Sequence, residues 1–549
     1  MTCATWRTSN FSTKTGLLRK IIEVNDVTML NQYIKSYGRI ALDPAELHDP
    51  FWIAAKCGSA NALQVLLEYY KADPDQTQAL AARGFFLLNT ACQYAQLETA
   101  RFLLDSDPPL GKAYTGDHRG GGALLSAAIY KDNRGWFRDR ITRSEDLMHM
   151  LLDRGASVRD VVQVLRHSDD DNTEGKLQQQ QWPLLKTVLG QAVSRASYKL
   201  LSRLIAEGAD VHTRQYGMGD FSGYGSAQEV TALHIGSSYW NSEGVQALIQ
   251  HRGREIDVAE MVSVSDSNGC LPLHWAAVGS SDEDLLTEDK ITSKIISTFK
   301  LLIDGNTSTI NIQDKMGSTA LHYAVESHAA CGNRHAYLVI KFLCENGADA
   351  SLQDYKGQTV LHKLALRSID GAPIDRALIE LLLAHGANLD HIDADGNTAL
   401  HIMARILRQR QAAQILITLG ANFHAKNVKG NISLHEAVVG VLRPRQNLEG
   451  NQENVTPNDR IKAQDEIIEA LENGAGDKRS LMDQPNAAGL TPRQSLEETR
   501  TRSKRYAQKS VQNEPIQLEL AWNVSRTREY SMIWLETVIP IDFQHASFN

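Results

Sequence analysis

The feature that most narrows what this chain can fold into is a four-residue phrase ending in Leu-His that returns six times. It reads Thr231-Ala232-Leu233-His234, Leu271-Pro272-Leu273-His274, Thr319-Ala320-Leu321-His322, Thr359-Val360-Leu361-His362, Thr398-Ala399-Leu400-His401 and Ile432-Ser433-Leu434-His435. Five copies follow an Asp-or-Asn, x, x, Gly turn: Asp266 with Gly269, Asp314 with Gly317, Asp354 with Gly357, Asp393 with Gly396, and Asn427 with Gly430. Asp and Asn side chains bond nearby backbone groups, and Gly accepts positive φ, so each such phrase predicts a tight turn. Thr359 then stands where an N-cap belongs, its hydroxyl available to the orphan N–H groups of a first helical turn. Leu361 faces the core. Downstream, Leu378, Ile379, Leu381, Leu382 and Leu383 have the spacing of a second, buried helix. A Gly-Ala pair closes the unit at Gly208-Ala209, Gly347-Ala348, Gly386-Ala387, Gly420-Ala421 and Gly474-Ala475, in the left-handed geometry that Gly tolerates.

Turn, capped helix, buried helix and Gly stop, repeated in series, resemble the ankyrin repeat, whose period is about 33 residues and whose signature is Thr-Pro-Leu-His. The resemblance runs from Glu207 to Gly489. It implies an all-α fold, an ankyrin-repeat solenoid of stacked helix-turn-helix units with short β-hairpin-like turns, about eleven or twelve with caps by the period. In such a stack each repeat packs on its neighbours, so 549 residues count repeats and not domains. Successive starts lie roughly 40 residues apart, longer than the usual period. The excess falls between first and second helices, at Ser280 to Asp289, His328 to His335, Ser368 to Asp375 and Leu442 to Asp459. Stacking should bring these insertions to one polar edge.

The organisation expected is an N-terminal cap and degenerate repeats over 1–167, a polar Asp/Gln-rich loop over 168–181, the regular array over 182–492, and an extension over 493–549. Amphipathic segments from Gly16 to Gly38 make the cap. Repeats without the full phrase follow at Asp49 to Tyr70, Phe86 to Leu104, and Gly122 to Ala156, the last carrying a polar insertion from Lys131 to Arg143. Leu184 to Ala192 and Tyr198 to Ile205 read as a helix pair. The loop 168–181 cannot bury a core. In the extension, Ile516 to Trp522 and Met532 to Leu535 read either as a strand pair or as a segment docked on the last repeat.

Charged residues make up 22% and hydrophobic residues 42%, with a formal net charge of -8. This acidic balance disfavours a broad nucleic-acid surface, and the absence of a basic zipper region before the repeats argues against direct DNA binding. Six scattered cysteines without a Cys-x-x-Cys pair read as reduced thiols of an intracellular protein. The first residues are polar, so no secretory signal is expected, and no apolar run reaches the roughly 18 residues that would span a bilayer.

Eighteen histidines invite a metal or catalytic reading. The six in the repeated phrase, His234, His274, His322, His362, His401 and His435, occupy one repeat position, where the resemblance implies imidazoles tying neighbouring turns together. Zinc needs its ligands within about 2.0 to 2.3 Å of one ion, which stacked repeats would not allow. We therefore expect no metal, cofactor-binding or catalytic residue. Nucleophile elbow, phosphate-loop and His-Glu-x-x-His motifs are missing, and the Gly-rich run from Gly217 to Gly225 lacks a preceding strand.

The resemblance places the residue after each motif histidine on the concave face: Ile235, Trp275, Tyr323, Lys363, Ile402 and Glu436. Turn residues Met316, Tyr355 and Lys356, with Lys315, Asp395 and Lys429, share it. Trp and Tyr suit interface anchoring; equally, Trp275 and Tyr323 could pack between repeats. The expected function is a non-enzymatic scaffold or regulator that binds an unidentified protein partner as a monomer, without nucleic acid or membrane. The long insertions resemble those of ankyrin-repeat proteins of filamentous fungi, which implies an accessory role beside secondary-metabolite synthesis. The alternative is a nuclear co-regulator acting through a DNA-binding partner, with Arg500, Arg502, Lys504 and Arg505 as import signal; residence is cytoplasmic or nuclear.

Overall fold

The computed structural model describes residues 14–37, 49–71, 86–106, 122–129, 138–164, 184–215, 227–279, 287–329, 334–367, 373–444, 453, 455–475 and 481–501. The loop 168–181, the run Gly217 to Gly225, most of the four inter-helix insertions and the extension beyond 501 lie outside the described residues. The described residues form an all-α repeat array that packs as two compact units. One is drawn from 1–217, 228–363 and 377–387, the other from 218–227, 364–376 and 388–549.

In the first unit, α1 (Lys14–Glu23) and α2 (Val27–Tyr37) come first, burying Ile21, Ile22 and Leu30. Then come α3 (Pro50–Cys57) with α4 (Ala60–Lys71), α5 (86–93) with α6 (Leu97–Asp105), and α7 (Ala123–Ala128) with α8 (Arg138–Asp153). The start of α3 follows from its sequence: Asp49 Oδ1 accepts from Phe51 N at 2.8 Å, and Pro50 sits at the first helical position, where no N–H is needed. α8 begins at Arg138, so the end of the expected polar insertion is helical.

Between α8 and the next first helix the chain makes an antiparallel pair, β1 (Val161–Val164) on β2 (Leu184–Thr187), with Val161 opposite Thr187 and Val164 opposite Leu184. This corrects the reading of 184–192 as one helix. Residues 184–187 find a β-branched partner in Val161-Val162-Gln163-Val164, and pairing overrides local helix preference. The helix proper, α9 (Val188–Ala192), is capped by Thr187 Oγ1, which accepts from Gly190 N at 2.9 Å. α10 (Tyr198–Ala206) completes the repeat.

Regular repeats follow: α11 (Ala232–Ser238) with α12 (Ser242–Gln250), α14 (Pro272–Val278) with α15 (Glu288–Gly305), and α16 (Ala320–His328) with α17 (Arg334–Glu345). A short α13 (Val258–Val262) precedes the 266–269 turn. Next are α18 (Val360–Arg367), α19 (Arg376–Ala384), α20 (Ala399–Arg405), α21 (Arg410–Thr418), α22 (Ser433–Val438) and α23 (Pro457–Ala475), before α24 (492–501). α15 and α23 reach 18 and 19 residues, so the ends of the 280–289 and 442–459 insertions extend second helices instead of looping out. Gly474 is a second correction. It closes α23 with Ala475 but lacks the expected left-handed geometry; an added Cβ would come 2.3 Å from Ile417 Cγ2, so close helix packing requires glycine there. No helix among the described residues is long and apolar enough to cross a membrane.

Gly386 does hold the left-handed geometry, at φ +102°, and an added Cβ would stand 3.1 Å from Asp349 Oδ1. Gly386→Val should therefore destabilise the array by about 1 kcal/mol or more. Calorimetry of the full chain checks this; an unchanged midpoint would contradict it.

Candidate functional site

Each motif histidine sits three residues into its helix and is buried. In His234, Nδ1 faces the backbone N–H of Thr231 at 3.2 Å and its hydroxyl at 2.8 Å, while Nε2 faces the Cys270 carbonyl of the next repeat at 3.1 Å. A backbone N–H can only donate and a carbonyl can only accept, so the ring is fixed as the neutral Nε2–H tautomer. The pattern repeats: His274 Nε2 donates to Ile312 O at 3.1 Å and His322 Nε2 to Gln358 O at 3.2 Å. In the second unit His401 Nε2 donates to Asn431 O at 3.0 Å and His435 Nε2 to Leu490 O at 3.1 Å. Thr359 N donates to His362 Nδ1 at 3.2 Å. The hydroxyls of Thr231, Thr319, Thr359 and Thr398 go to their histidine Nδ1 atoms, at 2.8 to 2.9 Å. The phrase thus resembles a capping box with imidazole in place of the usual Glu or Gln, extended by one bond to the next repeat. Burial pushes His234 down to about 3 and His322 down to about 4, and lowers His274, His401 and His435 as well.

The residues after these histidines are not on an open face: Trp275 and Tyr323 follow the packed alternative, and the expected exposure of the other four is corrected. Trp275 is 3% and Tyr323 7% exposed; Ile235, Ile402 and Glu436 are buried too, and Lys363 is half-buried. Trp275 Nε1 donates to Asp266 Oδ2 at 2.9 Å, Tyr323 Oη to Asp314 Oδ2 at 2.6 Å, and Lys363 Nζ pairs with Asp354 Oδ2 at 2.9 Å. The partner is in each case the turn residue nine positions back. That turn carboxylate also gathers its own loop, as Asp314 Oδ1 accepts from Met316 N and Ser318 N at 2.8 Å each. Where the ninth residue is itself a carboxylate, Glu436, the turn residue is Asn427, whose Nδ2 donates to Glu436 Oε1 at 3.2 Å. Where it is Ile402, Asp393 takes Asn397 Nδ2 at 3.3 Å instead. Trp275 and Tyr323 also receive the preceding repeat's imidazole edge-on, with centroids 5.7 Å from His234 and 5.8 Å from His274. The complementary spacing of nine was readable in the sequence as Asp with Trp, Tyr or Lys and Asn with Glu.

The turn tips remain open. Tyr355 is 73% exposed, Lys315 and Lys356 are exposed, and Met316 is half-buried. Tyr355 N donates to Met316 O at 2.9 Å, and its ring lies against Gly317, where an added Cβ would come 2.9 Å from Cδ1. Lys315 Nζ is held by Ser267 O at 2.8 Å. In the second unit Val428 is 68% exposed, beside exposed Asp395 and Lys429. Arg500 is held by Asp465 and Gln464; Arg502, Lys504 and Arg505 lie outside the described residues. Among the described residues no three His, Cys, Asp or Glu side chains are grouped to hold a metal ion.

A family model described as ankyrin repeats, in three copies, matches residues 327–427. An ankyrin repeat protein of Acanthamoeba polyphaga mimivirus is 28% identical over 185 residues, covering 29% of this chain and 21% of that protein. An intracellular phospholipase A2 of Caenorhabditis elegans is 30% identical over 148 residues, covering 26% of this chain and 13% of that protein. The B-cell lymphoma 3 protein homolog of Mus musculus is 26% identical over 205 residues, covering 33% and 43%. The chain thus spans less than half the length of each of these relatives. The crystal structure of the ankyrin repeat domain of Bcl-3, titled a unique member of the IkappaB protein family, aligns at 22% identity and a TM-score of 0.31, over 45% of this chain and 92% of that one.

The depressed histidines set a pH dependence. Their contribution to stability is complete above the ordinary value of 6.5. As pH falls from there towards about 4 for His322 and about 3 for His234, the unfolded chain takes up protons that the folded chain refuses, at about 1.4 kcal/mol for each unit of displacement. Asp266, which burial raises, acts in the opposite sense and offsets part of the loss. The thermal midpoint should be flat above about pH 6.5 and drop steadily below it, with a shallower acid slope in His234→Gln; parallel slopes would contradict the assignment.

Proposed function

Because the chain is an ankyrin-repeat protein, we propose that it acts as a non-enzymatic scaffold or regulator whose partner protein docks on the turn tips formed by Lys315, Met316, Tyr355 and Lys356. The observation that carries the reading is Tyr355. It is an aromatic ring 73% exposed on a turn that hydrogen bonds and a glycine seat hold in place, so its burial by a partner would cost little ordering. Aromatic residues of this kind dominate interface energies, and the flanking lysines add orientation. Of the concave-face set drawn from sequence, Trp275, Tyr323, Lys363 and Glu436 act here as internal ties to their own turns, with Ile235 and Ile402 as core. Their part in binding is to keep the tips in register.

The reading has the protein working as a monomer inside the cell, in cytoplasm or nucleus, with its cysteines reduced. The phospholipase relative shares only a stretch covering 13% of its length, so its activity is not carried over. A role beside fungal secondary-metabolite synthesis rests on fold-level analogy alone.

Affinity capture from the source cells should retain a partner on the wild-type chain and lose it with Met316→Ala combined with Tyr355→Ala, a loss of about 2 kcal/mol or more at unchanged helical content. Trp275→Ala should behave in the reverse order: it empties a core site and strands the Asp266 carboxylate, costing stability by about 3–5 kcal/mol. A folded tip variant that binds at full strength would overturn the proposal.

A further inference from the structure

A second feature lies in the first unit, far along the chain from the turn tips. Lys56, on α3, places its ammonium 4.8 Å from the centroid of the Trp52 ring and 5.1 Å from that of Tyr94. Trp52 is one turn earlier on the same helix, the i, i+4 spacing that puts two side chains side by side. Tyr94 follows α5, the first helix of the next repeat. The two repeats are tied at this point, since Gln96 Nε2 donates to the Lys56 carbonyl at 2.9 Å. All three side chains are half-buried.

Both distances are within the roughly 6 Å at which an aromatic face attracts a cation. The rings therefore hold the ammonium in place and shield it from water on two sides. Among the described residues no carboxylate or carbonyl oxygen accepts a hydrogen bond from Nζ. The cations nearby in the cap are satisfied differently: Glu23 takes Arg19 at 2.8 Å and Lys20 at 3.1 Å. Lys363 and Lys315, elsewhere in the unit, have Asp354 and Ser267. Among the described residues Lys56 is thus a clamped cation whose ammonium makes no ion pair, and an ammonium offers three donors.

We propose that Trp52, Lys56 and Tyr94 form a docking site for an acidic peptide segment, with a Glu or Asp side-chain carboxylate meeting Nζ and the rings flanking its methylene groups and backbone. Charge complementarity selects this occupant. A single ammonium between two apolar rings matches one negative charge carried on an aliphatic stem, whereas phosphate is favoured by a guanidinium fork. The clamp has already fixed the lysine rotamer, so less ordering is lost on binding, and the excluded water strengthens the ion pair. The site rests on the reading that this chain binds proteins, yet it is separate from the Tyr355 tips.

The test uses the full chain and an array of N-acetylated octapeptides, each Glu- or Asp-containing sequence paired with its Gln or Asn counterpart and with a phosphoserine version. The wild type should retain acidic peptides at least tenfold above their amide partners, with the preference weakening as salt rises. Lys56→Met, which keeps the aliphatic stem, should abolish the preference at unchanged circular dichroism, and Lys56→Arg should keep it. Met316→Ala with Tyr355→Ala should leave it intact, which separates this site from the turn tips. Equal retention of acidic and amide peptides by the wild type, or a preference that survives in Lys56→Met, would overturn the proposal. Stronger retention of the phosphoserine peptides would overturn the carboxylate assignment.

Discussion

A neutral, fully buried imidazole with a donor on one side and an acceptor on the other is the interaction on which the rest of this structure depends. His322 shows why. Its Nδ1 is claimed by Thr319 N at 3.2 Å and its Nε2 reaches the Gln358 carbonyl at 3.2 Å, so one side chain closes its own helix start and fixes the turn of the next repeat. A solenoid has no central core to enforce alignment, and coupling between neighbours carries its cooperativity. The histidine provides that coupling with direction, because Nδ1 can only accept, from its own helix start, and Nε2 can only donate, to the carbonyl of the next repeat. Burial keeps the ring neutral, which the geometry requires.

The second layer of order is the turn residue and its partner nine positions later. Asp266 with Trp275, Asp314 with Tyr323 and Asp354 with Lys363 satisfy a buried carboxylate oxygen with whatever donor is available. A buried carboxylate without such a donor would be costly, and the exchange of Asp for Asn427 opposite Glu436 follows from the same need. One consequence is functional. The residues that hold the turns are withdrawn from solvent, and what they present are the turn tips: Tyr355 stands out in the first unit and, separately, Val428 in the second.

Much of the fold was legible because the repeated phrase encodes both ends of a helix and the turn before it. The glycine geometry of Gly386 and the helices before residue 38 follow from local chemistry, whereas the ties of His234 through His435 to the next repeat were implied by the resemblance. The missed features were set by partners distant in sequence. Leu184 to Thr187 is a strand because Val161 to Val164 pairs with it, and Gly474 is needed because Ile417 lies against α23. Trp275 and Tyr323 carry the composition of interface anchors, and only the position of Asp266 and Asp314 reveals that their polar atoms are already engaged. Lys56 carried no signal in sequence, since its clamp joins two repeats that lack the full phrase.

The most direct test of the histidine tie is hydrogen exchange, followed by mass spectrometry, in the wild-type chain and in His322→Ala. The account predicts lost protection at the Thr319 amide, which donates to the ring, together with lost protection across 354–362 in the following repeat, where the Gln358 carbonyl loses its donor. Protection that is unchanged, or lost only within the 319–328 helix while 354–362 stays as in the wild type, would contradict the claim that this side chain couples one repeat to the next.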